Sequence, residues 1–134
     1  MNRFHDWPTR LIAVVESRRD VPFRWGTHDC CTFAADCILA MTGIDLAEGV
    51  RGSYASANQA RRLLGPGGLE SLPTRVLGDP LANPALAGRG DIVLLPVTER
   101  RPVLAVVIDT RAAAPGPQGL AFLPARAAAR AWRV

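Results

Sequence analysis

The feature that most constrains this chain is a change of periodicity at Gly90. Before it, apolar residues recur at helical spacing; after it, they come in short unbroken runs. In residues 8–19, Leu11, Ile12, Val14 and Val15 form one apolar face and Pro8 suits a first turn. In residues 30–41, Phe33, Ala34, Cys37, Ile38 and Met41 follow the same spacing, and Gly43 supplies a C-terminal stop. A third, more polar helix is predicted over 53–64, closed by Gly65-Pro66-Gly67-Gly68, and a short fourth over 69–77. Residues 79–89 read as a loop. Beyond Gly90, strands are predicted over 91–95, 103–108, 120–123 and 131–134. A polar, proline-bearing connection separates the first two, and Gly116-Pro117-Gln118-Gly119 turns into the third. Helices first and strands second is the α+β pattern. With 134 residues and no repeat, the chain reads as a single domain over 1–134.

Composition excludes several functional classes. No apolar run approaches the roughly 20 residues that span a bilayer, so membrane insertion is not expected. Residues 1–7 lack the apolar stretch of a signal peptide, which predicts synthesis in the cytoplasm. The net charge is +4, and all 16 basic residues are arginine. These arginines are scattered, with pairs at Arg18-Arg19, Arg61-Arg62 and Arg100-Arg101, and no aromatic-interleaved stripe marks a nucleic-acid surface. No cofactor motif is present.

The three cysteines, Cys30, Cys31 and Cys37, fall within eight residues. On one helix, Cys30 and Cys37 would lie about 10 Å apart along the axis, too far for a disulfide. Cys30 and Cys31 point in different directions. A structural zinc would need four ligands at characteristic spacing, and only His5 and His28 could add nitrogen, so no metal site is expected.

The chemistry concentrates in Phe23-Arg24-Trp25-Gly26-Thr27-His28-Asp29-Cys30-Cys31. Asp29 is a good helix cap, which places Cys30 in the first turn of the central helix. There, unpaired backbone N–H groups and the positive end of the helix dipole stabilise a thiolate. Cys30 is therefore the candidate nucleophile. His28, two residues upstream, is the candidate base, although its side chain and that of Cys30 are expected to diverge; the plainer reading is a loop histidine that fixes the helix entry by hydrogen bonding. Asp36 is expected to face solvent or an arginine, Asp91 to make turn hydrogen bonds, and Cys31 and Cys37 to pack as core. Trp25 reads as a core or rim aromatic, and Trp7 and Trp132 are expected to be substantially buried.

Asp29-Cys30 at a helix start, then Gly90-Asp91-Ile92-Val93-Leu94 opening a strand, then a further hydrophobic strand, resembles the NlpC-type cysteine peptidases, papain-like enzymes that cut peptidoglycan peptides. The resemblance implies a papain-like fold in which N-terminal helices pack on a small antiparallel sheet, with Cys30 as nucleophile. It also implies a catalytic histidine opening the second strand, near Val103, where this chain reads Arg101-Pro102-Val103-Leu104 and no histidine follows His28. The segments Arg3-Phe4-His5-Asp6-Trp7-Pro8, Trp25 to Cys31 and Arg130-Ala131-Trp132-Arg133-Val134 resemble a small family of bacterial and phage proteins found with prophage tail genes.

The implied function is a phage- or prophage-encoded, tail-associated protein on a degenerate NlpC-like hydrolase scaffold, with an assembly or binding role. Its implied partners are other tail proteins and peptidoglycan peptides. One alternative is an active cysteine hydrolase of cell-wall peptides using Cys30 and His28; another is a small intracellular binding module.

Overall fold

The computed structural model describes residues 1–98 and 101–134. Among them, four helices precede five strands: α1 Trp7–Arg18, α2 Cys30–Thr42, α3 Ala57–Leu64 and α4 Gly68–Leu77, then β1 Ile92–Thr98, β2 Arg101–Val107, β3 Arg111–Gly116, β4 Gly119–Pro124 and β5 Arg130–Trp132. The strands form one antiparallel sheet in the order β4-β3-β2-β1-β5. The class is α+β, and the change of character falls at Gly90.

The sheet is apolar on both faces because both are covered. Ile92 and Leu94 of β1, Leu104 and Val106 of β2, and Trp132 of β5 point toward the helices, where they meet Leu11, Val15, Phe33, Cys37 and Met41. The alternate residues Val93, Leu95, Ala105, Val107 and Ala131 point the other way. There, Leu81 and Ala87 of the 79–89 loop and Ala125 and Ala128 near β5 cover them. Period-two alternation within an unbroken apolar run is what a strand buried on both sides requires. Phe33, Cys37 and Met41 are all fully buried, which makes α2 the central helix. Gly43 ends it at φ +80°.

Each edge strand is tied at one point to a segment outside the sheet. Leu120 N–H on β4 donates to Arg19 O at 2.9 Å, and Leu81 N–H donates to Ala131 O of β5 at 2.8 Å. Covered edges resist strand-to-strand association.

Several expectations need correction. β3 is a strand the periodicity does not signal: Ala112, Ala113 and Ala114 are weak strand formers, and Pro115 lacks an N–H. Its pairing with β2 and β4 and the burial of all three alanines override that propensity. α3 starts at Ala57 rather than Ser53, because Ser56 is the cap, accepting from Gln59 N–H at 3.2 Å. Ser53 instead closes a turn through its hydroxyl to Val50 O. Ile12, placed on the buried face of α1, is 39% exposed, while Leu11 and Val15 carry the packing. Trp132 is fully buried, with its indole N–H on Thr74 Oγ1 at 3.1 Å. Trp7 is only half-buried, with the Arg3 guanidinium 4.2 Å from its ring centre. The connection between β1 and β2 is shorter than expected, since the strands run to Thr98 and from Arg101; Glu99 and Arg100 lie outside the described residues.

Candidate functional site around Cys30

The site is built by the loop that delivers the chain into α2. Arg24 and His28 pair through two main-chain hydrogen bonds of 2.9 Å, which closes a tight loop around Gly26. Gly26 has φ +81°, and a Cβ there would lie 2.1 Å from the Tyr54 carbonyl oxygen. Only glycine allows that approach, and it brings Tyr54 to the start of α2.

Asp29 then caps the helix. Its Oδ1 accepts from Thr32 N–H at 2.9 Å, while Thr32 Oγ1 accepts from Asp29 N–H at 2.8 Å. This reciprocal capping box stabilises by about 1 kcal/mol. Asp29 Oδ2 accepts from Gly26 N–H at 2.9 Å and from the Tyr54 hydroxyl. Both oxygens are thus engaged, and the residue is 2% exposed. Asp29 is structural, and it acts on the Cys30 thiol as a nearby negative charge.

Cys30 occupies the first position of α2 and is half-buried. Its thiol is pushed down from the ordinary cysteine value. The largest cause is a hydrogen bond from the Cys31 thiol; the Leu104 main chain and the Cys30 backbone add to it, while burial and Asp29 oppose it. Cys31 moves the opposite way, upward, because it is the donor in that pair and because it is buried. The Cys37 thiol also moves up through burial. Of the three free cysteines, then, Cys30 alone is biased toward the thiolate. Tyr54, which sequence reasoning did not single out, stands beside both sulfurs; burial and its bond to Asp29 raise its phenol. The Gly26-Thr27-His28-Asp29 turn offered a faint signal that some backbone must approach closely there, but nothing in the sequence said which.

The structure does not pair His28 with Cys30: neither ring nitrogen makes a hydrogen bond to the thiol or to any other described residue. The imidazole lies edge-on to the Phe33 ring at 5.9 Å and is influenced by Arg18, Asp36 and the Val21 carbonyl. Burial is the largest cause holding it below the ordinary histidine value, with Arg18 adding to it. The expected side-chain hydrogen bond at the helix entry is absent: neither ring nitrogen has a partner among the described residues, and only the backbone of His28 ties the loop. His5 is exposed on the N-terminal segment.

On the strand side, the residue that meets the sulfur is Leu104 rather than Val103. β3 pairs with β2 at Val106 and Val107. The Leu104 side chain packs in the helix-side core while its main chain reaches Cys30. Val103 is half-buried on the opposite face. An N–H at this point can hold a thiolate but cannot carry a proton between reacting groups.

The remaining candidates have structural roles. Asp36 pairs with Arg51 at 2.7 Å and Arg18 at 3.5 Å. Asp91, beyond its turn bond from Gly88 N–H at 2.9 Å, accepts from Arg3 at 2.9 Å and Val134 N–H at 3.0 Å, joining both chain ends to the start of β1. Trp25 is half-buried and meets Phe23 edge-on at 4.7 Å. Among the described residues, no group of three or more His, Cys, Asp and Glu side chains is arranged to hold a metal ion. Clefts of about 600 and 510 Å³ flank the β3–β4 hairpin, and neither is lined by Cys30, Cys31 or His28.

Chemically, the arrangement offers a thiol biased toward its thiolate, with a second thiol and a phenol beside it and, among the described residues, no imidazole hydrogen-bonded to it. No curated protein matches the chain. A family model described as a domain of unknown function, DUF6950, matches residues 2–134, nearly the whole length of both the helical and the strand halves. The chain belongs to the DUF6950 family.

Proposed function

We propose that this protein uses a papain-like, NlpC-type hydrolase scaffold without its hydrolytic chemistry, and that it serves an assembly or binding role among phage or prophage tail proteins. The observation that carries the loss of chemistry is the shell of Cys30: the thiol meets the Cys31 thiol and the Leu104 main chain, and His28 makes no hydrogen bond to it. Amide cleavage by a thiol needs a nucleophile and then an acid that protonates the leaving amine. General acid–base transfer contributes about 10²–10⁴-fold, and neither Cys31, whose thiol is held above its ordinary value, nor a backbone N–H supplies it. The scaffold reading is supported by the order of the elements: a cysteine opening a central helix, a Gly90-Asp91 strand start packed under that helix, and a following strand that meets the thiol. The tail setting rests on the resemblance of the two ends and the Trp25 to Cys31 segment.

The test is cleavage of purified muropeptides by wild type, Cys30→Ala and His28→Ala side by side. All three are expected to match the no-protein control. Turnover by wild type that is lost in both variants would overturn the reading and establish a cysteine hydrolase with His28 as its base.

A further inference from the structure

Among the described residues, the only buried side-chain nitrogen or oxygen atoms without a hydrogen-bond partner are the two ring nitrogens of His28. Buried polar atoms in folded proteins are nearly always paired, so this exception calls for an explanation. The residue is 4% exposed. It is closed in by the loop it belongs to, through the paired Arg24 and His28 main chains, and by Phe33 of α2.

On balance the surroundings favour a neutral ring, burial being the largest influence on it. From α1, the Arg18 guanidinium repels a second positive charge. From α2, Asp36 and Asp29 attract one, but Asp36 is already shared between Arg51 and Arg18, and both oxygens of Asp29 are occupied by Thr32, Gly26 and Tyr54. From the connection after α1, the Val21 carbonyl favours the protonated form without meeting either nitrogen in a hydrogen bond. A proton would thus add a charge and a second N–H where neither ring nitrogen has a hydrogen-bond partner.

We propose that residues 21–28 form an acid-opened latch on the entry to α2, closed over a neutral His28 and released when the ring is protonated. Release reaches the thiol site through Gly26, whose N–H holds Asp29 and whose carbonyl holds Gly52 N–H at 2.9 Å. Freeing it loosens the Asp29 and Tyr54 shell beside Cys30. The sign follows from linkage. In the open loop His28 takes its ordinary pKa of about 6.5, while burial lowers it in the closed loop. Above pH 6.5 both forms are neutral and the latch is pH-independent. Below it, the open form binds the extra proton, so the opening constant rises by up to tenfold per pH unit until the closed-state value is reached. This device stands independently of whether the scaffold is catalytic.

Solution NMR on the whole chain tests it, since with only two histidines, His5 and His28, the ring signals are readily assigned. The His28 ring is expected to titrate below the ordinary histidine value. Amide exchange at Arg24 and His28, corrected for its intrinsic pH dependence, is expected to report an opening constant that rises as pH falls below 6.5, while exchange at Phe33 and Met41 in α2 does not follow. In His28→Phe the rise should vanish. His28 titrating at or above the ordinary histidine value, a flat opening constant, or a rise shared equally by the α2 amides would each overturn the latch. The wild-type titration decides the matter by itself if the variant fails to fold.

Discussion

Replacing Asp91 is the sharpest test of how this fold is closed. Its side chain is 3% exposed and collects three N–H groups: Arg3 Nη2 at 2.9 Å, Val134 N–H at 3.0 Å and Gly88 N–H at 2.9 Å. Arg133 adds a looser charge at 3.7 Å, and its own side chain is 63% exposed. Asp91→Ala strands all three donors. Hydrogen bonds to a charged group contribute about 1.5–3 kcal/mol when fully buried. Arg3, at 19% side-chain exposure, and the two part-buried amides recover some hydration. About 1 kcal/mol per donor therefore survives, giving a loss of about 3–4 kcal/mol, at the lower end of what breaking a buried ion pair costs. Against a total stability of about 5–15 kcal/mol, this is a large fraction. At about 4 °C per kcal/mol for a chain of this size, Tm should fall by roughly 12–16 °C. Urea denaturation followed by circular dichroism measures the loss directly. Asp91→Asn keeps an acceptor for Gly88 N–H and should lose about half as much. Arg3→Ala should lose about 1–2 kcal/mol, and the double variant should reveal a coupling of about 1 kcal/mol or more. A loss below about 1 kcal/mol for Asp91→Ala, or additive single variants, would refute the argument that Asp91 ties both ends of the chain to the sheet.

Two further predictions address the entry to α2. Gly26→Ala should cost about 3 kcal/mol, from a strained positive φ and a Cβ driven into the Tyr54 carbonyl, whereas Gly49→Ala, at φ +84° with nothing within 4 Å, should cost only about 1 kcal/mol; equal losses in urea titrations would count against the close approach. Iodoacetamide at pH 7 should label Cys30 first and leave Cys37, which is fully buried, unlabelled until the protein unfolds. Cys31→Ala, which removes the hydrogen bond that most favours the Cys30 thiolate, should slow that labelling; peptide mass spectrometry showing the same or a faster rate would be the contrary result.

The sequence by itself determined the elements that depend on local patterning. The central helix opens at Cys30, where Asp29 and Thr32 complete a capping box within four residues, and closes at Gly43, where a left-handed φ is needed. The apolar runs after Gly90 became β1 and β2, because a stretch apolar at every position can be satisfied only by burial on both faces. Cys30 was legible as a thiol at a helix start for the same local reason. What local patterning does not encode, only the tertiary structure decided. The alanine-rich β3 is a strand because its neighbours pair with it, and its own residues prefer other conformations. Tyr54 reaches Asp29 across 25 positions, and Leu104 reaches Cys30 across the core, through contacts that no spacing rule contains. His28 sits two residues from Cys30 in the chain, yet its ring is buried edge-on against Phe33 with neither nitrogen hydrogen-bonded. Proximity along a chain fixes where a backbone can go; the packing around the loop fixes where its side chain ends, and here it leaves the buried imidazole without a hydrogen bond to the thiol.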